Sequence, residues 1–350
     1  MGSIRTGFLT GVLLTLVDFG ACGDHEAEAT GPFSWGSGGA FDFHHSSAAE
    51  SWQSNLDASF WVEVDLGEWV GWDDIYFYVN PSVTWGTGED WAWNPDVYQW
   101  WLAWDSRDDL NVSVGGLDPG WHFHSMPSAG YFIRMASRVP GEFSPGSLNL
   151  PEPYPISLPA ARIEWKPFAD WVTQAGVFVL DRGEEIDSQV VDELSALAIV
   201  EIAWRDEGEE ESGWKQRVAG VGAWAVTNGP CGAYLFGDAK LFTESPESWQ
   251  GMSLFFALGH RSDDGEKWYS SGTGGLTWEG LIPGRDEDIT SIAVIREERP
   301  DRPEISGEII HRFSLGEKLW IQGEVLVQNA GSHRDPVDDV KGGIRLGWDW

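Results

Sequence analysis

Apolar and polar side chains alternate along most of this chain. From residue 56 to residue 66 every second position is apolar, and Asp57, Ser59 and Glu63 lie between these positions. Side chains of a β-strand point to opposite faces with a period of two, whereas a helix would mix the two sets. The alternation recurs at residues 75–79, 110–114, 161–166, 252–259, 305–310 and 319–328. The sequence therefore predicts many strands, each with one apolar and one polar face.

The last ten residues continue this pattern to an aromatic end. Ile344, Leu346, Trp348 and Trp350 fall on one face of the predicted strand, and Arg345 falls on the other. The final strand of a transmembrane β-barrel has this form, because it closes the sheet, contacts lipid on one side and anchors aromatic rings at the membrane interface. Taken alone, these residues would suit the last strand of a soluble β-sandwich equally well.

The number of strands favours the membrane barrel. Turn signals divide the chain into about sixteen segments of roughly ten residues, the strand length that a tilted membrane strand needs. Among these signals are Asn80-Pro81, Asn228-Gly229-Pro230, Pro283-Gly284 and Asn329-Ala330-Gly331. Single-chain bacterial barrels have even strand numbers, and about 16 strands enclose a water-filled channel. We therefore predict an all-β fold, a transmembrane antiparallel β-barrel of about 16 strands.

Residues 117–158 interrupt the strand pattern with many Pro and Gly residues. A long excursion from an otherwise tight barrel is typical of a functional loop. We expect a loop that folds inward and narrows the pore.

Composition excludes several classes of protein. The formal net charge of −34 argues against nucleic-acid binding, because an acidic surface repels phosphates. The mean hydropathy is −0.27, and no apolar run approaches the roughly 20 residues of a spanning helix. The 23 Trp residues suit aromatic girdles of a barrel or a sugar-binding surface. We expect no metal and no cofactor.

The chain begins with features of an export signal. Arg5 precedes a short apolar stretch, and residues 19–22 partly resemble a lipoprotein cleavage box with Cys22 as the lipidated residue. We predict an export signal at 1–22, a polar linker at 23–51 and the barrel at 52–350. His44 and His45 lie in this linker, where adjacent histidines are usually solvated. The chain has only two cysteines, so a disulfide framework is excluded, and Cys231 is expected at a hairpin turn.

Four segments carry a family resemblance: residues 112–141, residues 154–183, the hairpin turn GLIPGRDEDI at 280–289 and the closing hairpin at 320–350. Together they resemble the OprB-type carbohydrate-selective porins. The sequence departs from the family pattern at Gly116, where a basic residue is common, at Ala330, where Pro is usual, and at Trp350, where Phe is usual. The resemblance covers the chain from about residue 52 onward.

The resemblance implies an outer-membrane porin through which small carbohydrates diffuse passively, with no enzymatic activity. It implies outer-membrane lipid as a surrounding partner and the barrel-assembly machinery as a partner of the C-terminal strand ending in Trp350. A homo-oligomer is compatible with it. The negative net charge further predicts that anionic solutes pass poorly compared with neutral ones.

Candidate pore residues come from the predicted loop and from the polar faces of the strands. Hydroxyl groups of a sugar both donate and accept hydrogen bonds, and aromatic rings stack on its C–H faces, so mixed charges with aromatic rings suit such a ligand. The principal candidates are Asp118, Trp121, His122, His124, Arg134, Arg162, Glu164 and Glu308. Tyr131, Lys166, Arg312, Glu324 and Arg345 are expected beside them or on the lumen face.

Two other functions are compatible with parts of the sequence. A secreted all-β glycosidase would need two carboxylates about 5 to 10 Å apart beside a Trp-rich groove, but acidic residues are too abundant here for such a pair to be diagnostic. A glycan-binding sandwich would explain the tryptophans. It would not explain an alternation that continues through about sixteen strands.

Overall fold

A computed structural model describes most of the chain. The described residues are 32–46, 51–86, 93–107, 109–132, 157–186, 189–206, 217–227, 229–245, 250–262, 268–298, 303–332 and 335–349. The predicted export signal, Cys22 and Arg134 lie outside them, as does Trp350.

Within this part of the chain there are sixteen strands and little helix. The strands are β1 Phe33–Ser46, β2 Ser51–Asp65, β3 Ile75–Gly86, β4 Trp93–Arg107, β5 Leu110–Leu117, β6 Leu158–Phe168, β7 Trp171–Ile186, β8 Gln189–Asp206, β9 Arg217–Val226, β10 Cys231–Thr243, β11 Gly251–Ser262, β12 Trp268–Glu279, β13 Ile289–Glu298, β14 Pro303–Gly316, β15 Leu319–Ser332 and β16 Asp335–Asp349. The helices are α1 Leu66–Val70 and α2 Pro119–His122, followed by a 3₁₀ turn at Pro127–Ala129. No helix in the described ranges is long and apolar enough to cross a membrane.

The strands form one closed antiparallel barrel, as predicted. Each strand pairs with its neighbours in sequence, and β16 pairs with β1 to close the sheet. In that closing pair Phe41 lies opposite Leu346, and Asp42 lies opposite Arg345. The terminal strand therefore closes the barrel, as its alternation indicated.

The alternation places apolar side chains outside and polar or packed side chains inside. On β14 the outward Ile305 and Ile309 are 50% and 52% exposed, whereas the inward Ser306, Glu308 and Ile310 are buried. An exposed apolar band of this kind is what a lipid-facing surface requires. On β16 Ile344 and Leu346 are exposed in the same way, but Trp348 is buried.

The predicted linker at 23–51 is wrong for residues 33–46, which form β1 and pair with both β2 and β16. Gly36 serves close packing there. A Cβ atom on Gly36 would lie 2.6 Å from the ring of Trp61 on the facing strand, so only glycine fits. His44 and His45 are accordingly strand residues. The barrel begins at Phe33.

Two of the predicted turns are strand residues instead. Asn80 and Pro81 lie inside β3, at a register shift against β4, where a residue without an N–H group is tolerated. Asn329 to Gly331 lie in β15, which continues to Ser332. The turn with Pro283 and Gly284 is confirmed, and Gly284 has the positive φ of 77° that favours glycine. The exposed Cys231 begins β10, directly after a turn.

Candidate solute pathway

The excursion after β5 begins with a short, capped helix. Asp118 follows the last residue of β5, and its side chain accepts a hydrogen bond from the backbone N–H of Gly120 at 2.7 Å. Pro119 occupies the first turn of α2, where a missing N–H costs nothing. The hydroxyl of Tyr98 donates a second hydrogen bond to the Asp118 carboxylate. Asp118 is thus buried as a helix cap and loop anchor.

The loop then crosses the lumen and is hydrogen-bonded to distant strands. The N–H of His124 donates to Oε2 of Glu201 on β8 at 2.7 Å. The N–H and Oγ of Ser128 donate to the two carboxylate oxygens of Asp238 on β10 at 2.7 and 2.8 Å. Thr277 on β12 donates from Oγ1 to the carbonyl of Ser128 at 2.8 Å. The inward-folded loop is therefore confirmed for residues 118–132.

Apolar side chains of the loop pack against an apolar inner wall. Phe123 meets Phe178 of β7 with ring centroids 6.0 Å apart, and Phe132 meets Phe255 of β11 at 5.6 Å. Gly176 makes room for this contact, because a Cβ there would lie 3.1 Å from the Phe123 ring. The cluster continues along the inner faces of the strands from β7 to β14, except β12, and Leu117 and Leu158 join it from the ends of β5 and β6 beside the loop. We call residues 118–132 with these faces the packed half of the lumen.

The opposite wall keeps polar and charged inward side chains. We call the inner faces of β1 to β6, β15 and β16 the open half. Arg345 forms a two-point ion pair with Asp42 across the β1–β16 junction. On β6 Arg162 pairs with Glu164 and donates to Oε1 of Gln174, with Nε–O and Nη2–O distances of 3.0 and 2.7 Å.

A hollow of about 560 Å³ lies in the open half, between β3 and β6. Its lining includes Tyr76, Trp101, Asp105, Asn111, Ser113, His122, Arg162, Glu164 and Lys166, together with Asp74 and Asp109 at its mouth. Asn111 connects part of this wall: its Nδ2 donates to the Tyr76 hydroxyl at 2.9 Å and to Oδ1 of Asp105 at 2.6 Å. Ser113 Oγ donates to Oδ1 of Asn111 at 2.8 Å. The hollow thus offers donors, acceptors and aromatic rings.

Aromatic rings follow the open wall above this hollow. Trp61, Tyr78 and Trp101 lie on consecutive strands β2, β3 and β4 and stack in order, with centroid distances of 6.3 and 3.9 Å. Trp101 then meets the edge of His122 at 5.6 Å. Desolvation of His122, together with the positive charge of Arg162, lowers its pKa well below the ordinary value. The imidazole is therefore neutral at physiological pH.

The structure brings three of the predicted candidates together at the hollow, namely His122, Arg162 and Glu164. Trp121 in α2 is 44% exposed. His124 is buried, with its ring against Phe236 of the packed half at 4.9 Å. Glu308 is buried on the inner face of β14. Beside the loop, the guanidinium of Arg312 lies 5.2 Å from the ring centroid of Tyr131.

Tyr76, Trp101, Asp105 and Asn111 were missed as candidates. The signal for Trp101 lies in the alternation of β4: Trp100, Leu102 and Trp104 are exposed outside, so Trp101 faces inward, as does Asp105 after Trp104. Two adjacent tryptophans obscure that alternation, because both faces of the strand look equally aromatic.

Comparisons with known proteins agree on the architecture. No known protein-family profile and no curated protein sequence matches this chain. The high-pH structure of Pseudomonas putida OprB matches with a TM-score of 0.74 at 14% identity, covering 91% of this chain and 94% of that one. Its low-pH structure matches with a TM-score of 0.63 at 15% identity, covering 91% and 93%. A mutant of Rh. blastica porin matches with a TM-score of 0.57 at 11% identity, covering 91% and 100%. The fold is a porin fold.

Proposed function

We propose that this protein is an outer-membrane porin through which small carbohydrates diffuse passively, without catalysis. The observation that carries the proposal is the division of the lumen. A closed barrel with an apolar outer face contains a loop that fills one half and leaves a polar hollow beside the other wall. An inner channel narrowed on one side, inside a surface suited to lipid, is the arrangement of a selective pore.

The lining of the open half supports a neutral, hydroxylated solute. Asn111, Ser113 and Tyr76 provide amide and hydroxyl groups that can exchange hydrogen bonds with sugar hydroxyls, and Trp101 provides an aromatic surface. Weak contacts at several such points raise the local solute concentration without trapping it. The similarity in fold to P. putida OprB supports the same solute class, which the sequence resemblance had implied.

The predicted candidates have two different roles in this proposal. His122, Arg162 and Glu164 contact the solute, with Trp121 exposed nearby on the loop. Asp118, His124 and Glu308 are buried, so they act by holding the loop and the wall in place. Outer-membrane lipid surrounds the exposed apolar band, and the C-terminal strand is the part that the barrel-assembly machinery engages. A homo-oligomer is compatible with this arrangement.

Single-channel recording of the purified, detergent-folded protein in a planar bilayer tests the proposal. We expect discrete conductance steps that glucose, maltose and an uncharged polyol block at millimolar concentrations. Conductance steps without any sugar block would show a general porin and would contradict the proposed carbohydrate specificity. A protein that never inserts and stays soluble without detergent would contradict the porin function itself.

A further inference from the structure

The hollow of the open half carries more carboxylates than cations. Its acidic lining residues are Asp74, Asp105, Asp109 and Glu164, and its basic ones are Arg162 and Lys166. Both basic side chains are directed to the same partner, since Arg162 pairs with Glu164 and the Lys166 Nζ lies 3.9 Å from Glu164 Oε1. His122 is neutral and does not offset the rest. The three aspartates therefore leave the hollow negatively charged.

Backbone hydrogen bonds fix these aspartates at the opening of the hollow. The N–H of Asp105 donates to the carbonyl of Asp74 at 2.8 Å, and the N–H of Lys166 donates to the carbonyl of Asp109 at 2.8 Å. Asp109 belongs to the turn between β4 and β5, at one mouth of the barrel. A solute that enters by this mouth meets Asp74 and Asp109 before it reaches Trp101, deeper on β4.

The uncharged part of the lining is suited to hydroxyl groups, and the charged part to an amine. Asn111 lies opposite Glu164 and Ser113 lies opposite Arg162, both deeper along β5 than Asp109. Oδ1 of Asp105 already accepts a hydrogen bond from Asn111, and a carboxylate has further lone pairs for another donor. Aromatic rings such as those of Tyr76 and Trp101 also attract cations. A ring with hydroxyls and one ammonium group would satisfy both parts of the wall.

We propose that this hollow is a binding site for small polyhydroxylated solutes that carry a positively charged amine, and that its solute class is the amino sugars. It discriminates against the corresponding acids. The inference rests on the proposed porin function and adds to it a charge preference at a defined place. Net charge of the whole chain does not specify this, because the preference arises from carboxylates that line one hollow.

Three solutes with nearly the same ring test the preference: glucose, glucosamine and glucuronate. Channel block is recorded at about 0.1 M salt, because higher salt would screen the mouth charges. We expect glucosamine to block at a concentration roughly fivefold lower than glucose, the scale of one solvated charge pair, and glucuronate to block more weakly than either. Raising the salt to about 1 M should bring the three values together.

The double variant Asp105→Asn with Asp109→Asn removes two of the three aspartate charges of the hollow and keeps the side-chain shapes. Its matched control is Glu68→Gln with Glu317→Gln, which changes the net charge equally at two exposed positions outside the hollow, one in α1 and one in the turn between β14 and β15. We expect the first variant to lose the preference, so that glucosamine and glucose block at similar concentrations, and the control to keep it. Mobility in detergent gels before and after heating shows that both variants are folded.

The outcomes separate the two proposals. Equal block by all three solutes in a conducting wild-type channel would overturn the charge preference and leave the porin function intact. So would a loss of preference as large in the control variant as in the hollow variant, because the effect would then be one of net charge. Absence of any conductance would overturn the porin function and this inference with it.

Discussion

The packed half and the open half of the lumen are enclosed by the same alternating strands but use their inward positions oppositely. In the packed half these positions hold Phe178, Phe236 and Phe255, all buried under the loop. In the open half they hold charged pairs such as Arg345 with Asp42. The rule that inward positions of a barrel are polar therefore holds only where the loop leaves the lumen open. Where a loop docks, inward positions become a hydrophobic core.

Polar groups follow the same division. In the packed half Glu201 holds both the loop and the wall: it accepts hydrogen bonds from the His124 N–H, the Tyr234 hydroxyl and the Gln174 amide, each at 2.7 Å. Buried donors left without such an acceptor would destabilise the fold. In the open half Asn111 and Glu164 line the hollow, where water or a solute reaches them. The polar groups of the packed half fix the position of the loop, and those of the open half leave space for a solute.

Removing an apolar anchor of the loop should have the largest effect. Phe123→Ala empties a fully buried site between the loop and Phe178. We expect a loss of about 3 kcal/mol in the free energy of unfolding, typical of a buried Phe→Ala change. The loosened loop should also raise the single-channel conductance and weaken sugar block.

The control is Phe256→Ala, the same deletion at an exposed position on the outer face of β11. It should leave conductance unchanged, and urea unfolding followed by Trp fluorescence should show a smaller loss of stability. If Phe123→Ala conducts like the wild type, the packed half does not determine the width of the pore.

Sequence periodicity could predict the strands and their faces but not the division of the lumen. Ser253, Phe255 and Ala257 share the inward face of β11 by alternation alone. Which inward faces the loop covers depends on contacts far apart in sequence, such as Ser128 with Asp238. Local pattern carries no information about such partners. The same limit explains why β1 was predicted as a linker. Its Gly-rich and Ser-rich composition is typical of a linker, and the contact of Gly36 with the ring of Trp61 on β2 cannot be seen in the local sequence.

Two tryptophans on β4 test whether a solute passes along the open half, because one faces the hollow and the other faces outward. Trp101→Ala removes an aromatic ring from the hollow, while Trp104→Ala removes one from the outer face, where Trp104 is 48% exposed. We expect the first change to weaken glucose block about three- to tenfold, since one aromatic contact contributes about 1 kcal/mol. The second should leave block unchanged. Similar block in both variants would mean that the solute does not pass along β4.

The smallest effect on permeation is expected at a turn outside both halves, where a substitution should change stability and leave permeation unchanged. Asp288 follows the turn between β12 and β13 and accepts two hydrogen bonds from Arg285, both at 2.8 Å, and one from the Ser314 N–H at 3.0 Å. Burial acts to raise the pKa of Asp288. The hydrogen bonds from Arg285 and Ser314, with the charge of Arg285, outweigh burial and leave the pKa below its ordinary value.

A lowered folded-state pKa means that the ionised carboxylate stabilises the fold above the unfolded-state pKa of about 3.9, and that this stabilisation is lost as the pH falls through the folded-state pKa. Asp288→Asn should therefore reduce stability by about 1 kcal/mol at pH 7, a value discounted for solvent screening. Urea unfolding should show that the difference in stability between variant and wild type disappears in acid, with Asp286→Asn in the same turn as the control.

Conductance and sugar block should not change, because the turn contacts neither the loop nor the hollow. A gap that persists below the folded-state pKa would show that the hydrogen-bond geometry, rather than the charge, holds this turn.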